Sequence, residues 1–179
     1  ATAGTFKIGA KGSATALGSV PERDFAVTRR LSLDPTVGRV GTVVTVSGTG
    51  FVANTSVSIS YDQTAVGTTP ATVVSTAAGN VSATFTVPPG VPGVHPVVVS
   101  DGAGMANATF ATTSSMSVAG SSTLPGDEMT ITGQGFPSFA PVTFTFDNAT
   151  LATRPASVTA DASGAFSATV TLPEAARGT

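Results

Sequence analysis

At an offset of 85 residues the chain matches itself without a gap, and no other feature constrains its fold as tightly. The string SGTGF at Ser47–Phe51 returns as TGQGF at Thr132–Phe136. Around it Gly41 meets Gly126, Gly48, Gly50 and Phe51 meet Gly133, Gly135 and Phe136, and Val57 and Asp62 meet Val142 and Asp147. Further on, Gly79 meets Gly164 and Pro88 meets Pro173, so that residues 31–94 and 116–179 are identical at 20 of 64 aligned positions. A period of this size implies one folding unit per copy. The 179 residues therefore read as two small modules rather than one large domain.

Within each copy, short alternating segments lie between turn signals, the pattern of half-buried strands. In the first copy Thr42–Gly48 is a strand, and SVSISYD at Ser56–Asp62 points Val57, Ile59 and Tyr61 inward. Ala71–Thr76 follows, and Asn80–Pro88 turns Val81, Ala83, Phe85 and Val87 to one face. Gly93–Asp101 and Asn107–Thr112 supply Val97, Val99 and Phe110 as inward residues. With the opening LSLDP this gives about seven strands at the spacing of an immunoglobulin-like sandwich. In the second copy Val142, Phe144 and Phe146 take the places of Val57, Ile59 and Tyr61, while Phe166 replaces Val81 and Val170 replaces Phe85, a redistribution of bulk that core packing tolerates. In GxGF the first Gly is expected to end a strand at positive φ, and the second to let the chain bend before Phe plugs the core. PEAAR at Pro173–Arg177 is the one segment that suits a turn of helix.

Composition agrees with an all-β chain. Val and Thr are abundant, as pleated strands favour, and Gly 20 and Pro 12 mark many turns. Only 10% of residues are charged, so Ser and Thr, about a quarter of the chain, supply the polar surface. Without cysteine there is no disulfide, thiolate zinc site or cysteine nucleophile. No apolar run approaches the ~20 residues of a membrane helix. Charge is uneven: residues 1–30 carry five basic against two acidic side chains, +3, and the remainder three against eight, −5. That asymmetry suits an arm that docks on an acidic surface, or simply a solvated leader, and argues against a nucleic-acid partner.

The run LSLDPTVGRVGTVVTVSGTGFVANTSVSISYD, Leu31–Asp62, resembles the opening of IPT/TIG-like and related Ig-like repeats of prokaryotic surface proteins, which show D-P-x-x-G-x-x-G-T-x-V-x-V-x-G-x-G-F. The first copy follows that pattern nearly throughout. The second departs from it at AGSSTLPGDEMTITGQGF, which lacks the Asp-Pro and the first Gly. The resemblance implies spacers, stalk units, filament subunits or ligand-presenting modules, in an extracellular or cell-surface setting.

The resulting expectation is two tandem Ig-like β-sandwiches, at 31–112 and 113–179, after a leader at 1–30. The second has no equivalents of VHPVVVSD and NATFAT before Thr179 and reads as incomplete. Each missing inward side chain is worth about 1.5–3 kcal/mol, so the deficit approaches the net stability of a domain. A strand from another chain, or sequence outside this one, would complete it. Counting back by 85 residues places RDFAVTRR at Arg23–Arg30 on ATFATTSS at Ala108–Ser115, and Phe25 on Phe110. GTFKIGA at Gly4–Ala10 and SATALGS at Ser13–Ser19 also alternate as strands do. Phe6, Ile8, Phe25 and Val27 are thus candidates for an inter-subunit strand, with head-to-tail copies of the chain, or flanking Ig-like domains, as partners.

Chemistry is sparse. The four Asn residues, Asn54, Asn80, Asn107 and Asn148, each begin an N-x-Ser/Thr triplet and are candidate glycosylation sites, although Asn is also an ordinary turn residue. His95 stands alone, with no triad or metal partner in register. Asp62 and Asp147 recur at strand ends and, like DGAG and DASG, fit turns better than calcium loops. Asp127–Glu128 is expected on a solvated edge. No carboxylate pair recurs at acid/base spacing. No catalytic, cofactor or metal residues are expected. The sequence reads as a non-enzymatic structural subunit, with an adhesin-type binding module, or a spacer or accessory domain of a larger secreted protein, as the alternatives.

Overall fold

The computed structural model describes residues 2–10, 13, 21–119 and 124–173. Among these every regular element is a strand. SATALGS and PEAAR fall, apart from Ser13 and Pro173, outside the described residues. The chain divides into two compact units: one of Ala1–Thr36, Val43–Thr86 and Pro96–Phe110, the other of Val37–Thr42, Val87–His95 and Ala111–Thr179.

In chain order the strands are β1 (Gly4–Ile8), β2 (Arg23–Val27), β3 (Arg30–Asp34), β4 (Val37–Gly38), β5 (Val43–Thr49), β6 (Ser56–Tyr61) and β7 (Thr64–Ala65). Then come β8 (Thr68–Thr69), β9 (Val73–Val74), β10 (Val81–Thr86), β11 (Gly93–Ser100) and β12 (Met105–Thr112). The later part holds β13 (Ser115–Ala119), β14 (Glu128–Gln134), β15 (Pro141–Val142), β16 (Thr145–Phe146) and β17 (Ala149–Thr150). It ends with β18 (Thr153–Arg154), β19 (Val158–Thr159) and β20 (Phe166–Thr171). The expected strand at Ala71–Thr76 is only the two residues of β9.

In the first unit β1 and β2 form an antiparallel ribbon, and β3, β5, β10 and β8 form a sheet in that order. A further sheet orders β12, β11, β6 and β7, with β9 also paired to β6. Strict alternation along β5, β6 and β10 buries Val44, Val46, Val57, Ile59, Tyr61, Val81, Ala83 and Phe85 while their Ser and Thr neighbours face outward. Val97, Val99 and Phe110 are wholly buried, as expected of their positions. In the second unit β4 runs parallel to the last residues of β12, Ala111 opposite Val37. There β13, β14, β20 and β18 form a sheet whose order matches β3, β5, β10 and β8 strand for strand. Ile131, Phe144, Val158, Phe166, Ala168 and Val170 make its core, with Met129, Phe136, Val142 and Leu151 packed against it.

The period of 85 residues survives in the backbone. Asp62 and Gln63 have positive φ, as do Asp147 and Asn148, and Gly50 and Gly79 share that conformation with Gly135 and Gly164. Asp62 and Asp147 are thus turn residues.

The first GxGF glycine does different work from that expected, while the second makes the bend that was expected of it. Gly48 lies inside β5, and only Gly50, at φ 84°, needs the left-handed region. Gly48 is small because the Phe51 ring folds back over it: a Cβ there would stand 2.7 Å from Cε2 of that ring. The Phe51 amide then donates to the Gly79 carbonyl at 3.0 Å, and Phe136 repeats the bond to Gly164 at 2.9 Å. Over Gly133 the space is taken mainly by Phe166, with Phe136 beside it. The bulk moved from Phe85 to the Val81 position has built a new aromatic cluster: Phe166 meets Phe136 at 4.9 Å and Phe144 at 5.5 Å, both edge-on.

Gly48→Ala should therefore destabilise the protein by about 1–3 kcal/mol in urea unfolding. Gly67→Ala, where a Cβ meets nothing within 4 Å, should stay within about 0.5 kcal/mol of the parent.

Candidate functional site

The densest polar constellation is built on Asp101, the residue that leaves β11 for the loop to β12. Its side chain is wholly buried. Oδ1 accepts the amides of Ala103 at 3.0 Å and Gly104 at 2.8 Å, turning the loop back on itself. Oδ2 accepts the amide of Val52, next after the GxGF phenylalanine, at 2.8 Å. The Arg29 guanidinium closes the remaining side, Nη2 at 3.1 and 3.0 Å from the two oxygens and Nε at 3.3 Å from Oδ2. Gly104 makes room for that guanidinium, and Arg29 also stands 5.9 Å from the Phe51 ring centroid. One carboxylate thus joins the end of the leader, the GxGF turn and the β11–β12 loop. With every lone-pair direction occupied, it is a structural clamp and has no position open for a metal or a substrate proton.

Burial would raise the Asp101 pKa. The Val52 amide, the Arg29 guanidinium and the amides of Gly104 and Ala103 outweigh it and hold the carboxyl below its ordinary value. Asp161 is also lowered, by Ser163 and Ala165 at an exposed turn. There it replaces Thr76, whose hydroxyl accepts the Asn80 amide four residues on, just as Asp161 accepts that of Ala165.

Arg29 revises the sequence reading of the basic arm: it is committed to Asp101 inside the chain. Lys7 lies 3.8 Å from Glu22, so a second of the five leader cations also has an acidic neighbour close by. The clamp itself was not foreseen, because Arg29 lies 72 residues from Asp101 in the sequence.

The structure brings Phe6, Ile8, Phe25 and Val27 together. Phe6 pairs with Phe25, Gly4 with Val27 and Ile8 with Arg23, and residues directly opposite one another share a face. Phe6, Ile8 and Phe25 are 45%, 59% and 53% exposed, and Val27 is half-buried. One side of the ribbon is therefore an apolar strip. An Ala3 amide bond to the Gly50 carbonyl, 2.7 Å, fastens its start.

Equivalent positions of the two copies differ in burial. Leu33 is 7% exposed and its counterpart Val118 43%, and Tyr61 is 6% exposed where Phe146 is 36%. Phe146 was expected to point inward, as Tyr61 does, yet it stands at the surface. In the first copy β11 and β12 add Val97, Val99 and Phe110 to the interior. No described strand stands at the corresponding place in the second.

Asn54, Asn80, Asn107 and Asn148 are all exposed. Asp127 accepts the Leu124 amide at 2.9 Å, and Glu128 lies 3.6 Å from Arg154, both at the surface. His95 is buried, its Nε2–H donating to the Val91 carbonyl at 3.1 Å. Among the described residues no three His, Cys, Asp or Glu side chains gather as metal ligands, and no helix is long and apolar enough to cross a membrane.

Paired sheets with outward Ser and Thr, Gly-dependent turns and a clamp in place of chemistry define an Ig-like β-repeat. The family model of the IPT/TIG domain matches residues 31–115, so this segment is similar to that family. Comparison with curated proteins found no match.

Because Asp101 has a lowered folded pKa, its contribution is full above the unfolded carboxylate value of about 4 and fades as pH falls through the folded value. Asp101→Asn should cost about 3–5 kcal/mol at neutral pH, since it leaves Arg29 without its counter-charge. Its denaturant midpoint should also fall less steeply below about pH 4 than that of the parent.

Proposed function

We propose that this is a non-enzymatic extracellular or cell-surface structural protein in which Ig-like repeats, at 31–112 and 113–179, join copies of the chain head to tail. In this reading the β1–β2 ribbon of one copy lies on the second repeat of the next. The observation that supports it is that two surfaces of the chain leave apolar side chains exposed. The ribbon exposes Phe6, Ile8 and Phe25 on one face. The second repeat exposes Val118 and Phe146 where the first buries Leu33 and Tyr61. Register adds support, since β2 occupies the place in the 85-residue period that Ala108–Thr112 of β12 occupies, and Phe110 is wholly buried.

Magnitudes decide the form of the contact. Burying three such side chains contributes about 1.5–3 kcal/mol each, of the same order as the roughly 4–15 kcal/mol that association costs. The apolar strip alone does not hold copies together, so main-chain pairing along a sheet edge must add to it, as strand addition provides. A contact of this type joins unlike surfaces, and unless the rotation closes a ring it propagates into a filament.

Phe6→Thr with Phe25→Thr tests the reading, because both side chains are largely exposed, threonine keeps the strand pairing, and their loss spares the Asp101 clamp. The parent should sediment as larger species at rising concentration and show polymers by electron microscopy. The double variant should remain monomeric with an unchanged melting temperature. A parent that stays monomeric at every concentration, or a variant that assembles as the parent does, would refute the assembly. A monomeric parent would leave the spacer or adhesin-type module standing.

A further inference from the structure

We propose that Asn54, Asn80, Asn107 and Asn148 are acceptors of N-linked oligosaccharide. The repeat itself supplies a control. If Asn merely served the turns of the module, it would recur at the same turns in both copies. It does not: Asn54 stands against Phe139, Asn80 against Ala165 and Asn148 against Gln63. Two of the three downstream hydroxyls are likewise private to one copy, Ser56 facing Pro141 and Thr150 facing Ala65, while Ser82 faces Ser167. Each of these three asparagines therefore arose without a template in the other repeat, and all four asparagines of the chain are followed at the second position by Ser or Thr and never by an intervening Pro.

Geometry adds an independent condition. A transferase needs the amide and the hydroxyl two residues on to be accessible together. Ser56, Ser82, Thr109 and Thr150 are exposed, as are their four asparagines. On β12 the alternation sets Asn107 and Thr109 on the outward face while Ala106 and Phe110 are buried. Asn54 and Asn148 project from turns at φ 52° and 67°. A surface with 10% charged residues would gain from such glycans the hydration that charge does not provide.

The donor is an oligosaccharide carried on a polyisoprenyl phosphate or diphosphate, and a separate transferase supplies the catalysis. The bond from Asn Nδ2 to the sugar anomeric carbon forms as the carbon–oxygen bond to the carrier phosphate breaks. The polyisoprenyl phosphate or diphosphate leaves, and the amide proton passes to a base of the transferase.

Intact mass and peptide mapping of the protein isolated from its native source test this directly. The peptides that contain these asparagines should exceed their bare masses by glycan-sized steps, with sugar on at least two of the four asparagines. Asn80→Gln and Ser82→Ala should each remove the same single step, which separates glycosylation from deamidation. Both are exposed replacements that leave the core intact. Sugar on one asparagine or none, or excess mass confined to Ser and Thr hydroxyls, overturns the proposal.

Discussion

A phenylalanine ring folded over a glycine three residues behind it is the contact on which the first repeat is organised. Phe51 cannot reach the core unless Gly48 lacks a side chain, and it cannot turn inward unless Gly50 adopts a positive φ. The same turn delivers the Phe51 amide to Gly79 and the Val52 amide to Asp101. A single tight bend thus orients three things at once: a core side chain, the bond to the loop before β10, and the donor that caps a buried carboxylate. Close packing explains why so short a motif persists in a diverged repeat, since an interior at crystal-like density leaves no slack for a methyl group at such a position.

Beyond that shared bend the repeats have diverged in a physically consistent way. The first uses polar pins: Ser75 accepts the Thr55 amide and donates toward the Val52 carbonyl, and Asp101 gathers the leader, the turn and the β11–β12 loop. The second has Ala160 where Ser75 stands. It relies instead on the edge-on contacts of Phe166 with Phe136 and Phe144. Directional hydrogen bonds among fully satisfied groups fix one arrangement. Aromatic contacts bring larger buried area with looser geometry. The half-burial of Phe136, against the complete burial of Phe51, is the visible consequence of Phe166 taking the space over Gly133.

Much of the fold was legible because strand alternation and a fixed period are local signals. Val57, Ile59 and Tyr61, Val81 to Val87, and Val97, Val99 and Phe110 were all readable as inward from spacing alone, and all are buried. What could not be read is what depends on contacts across sequence. The role of Gly48 lies in a ring packed over it, which looks in sequence like any strand-ending glycine. The Arg29–Asp101 clamp spans 72 residues, a separation that no local pattern bridges. Phe146 has the alternation of Tyr61 but not its surroundings, and burial follows surroundings. The ribbon face was legible as residues, Phe6, Ile8, Phe25 and Val27, but their common face follows from a pairing register that no local pattern states.

The position of Arg29 shapes how the leader can act. It lies two residues beyond β2 and is fixed at 3.0–3.3 Å to a buried carboxylate. Gly4 pairs with Val27, so Ala3 lies at the same end of the ribbon, and its amide is bonded to Gly50. Both roots of the ribbon therefore rest on the GxGF turn and its carboxylate cap. Breaking an ion pair with so buried a partner leaves an uncompensated charge in a low-dielectric site, so the roots hold while the exposed faces remain available. A ribbon anchored in this way loses less conformational freedom on meeting a partner than a free tail would, and so lowers the ordering cost that limits the affinity of disordered arms. Truncation through Arg29 would remove the anchor and the apolar strip together, whereas substitution of Phe6 and Phe25 separates the two.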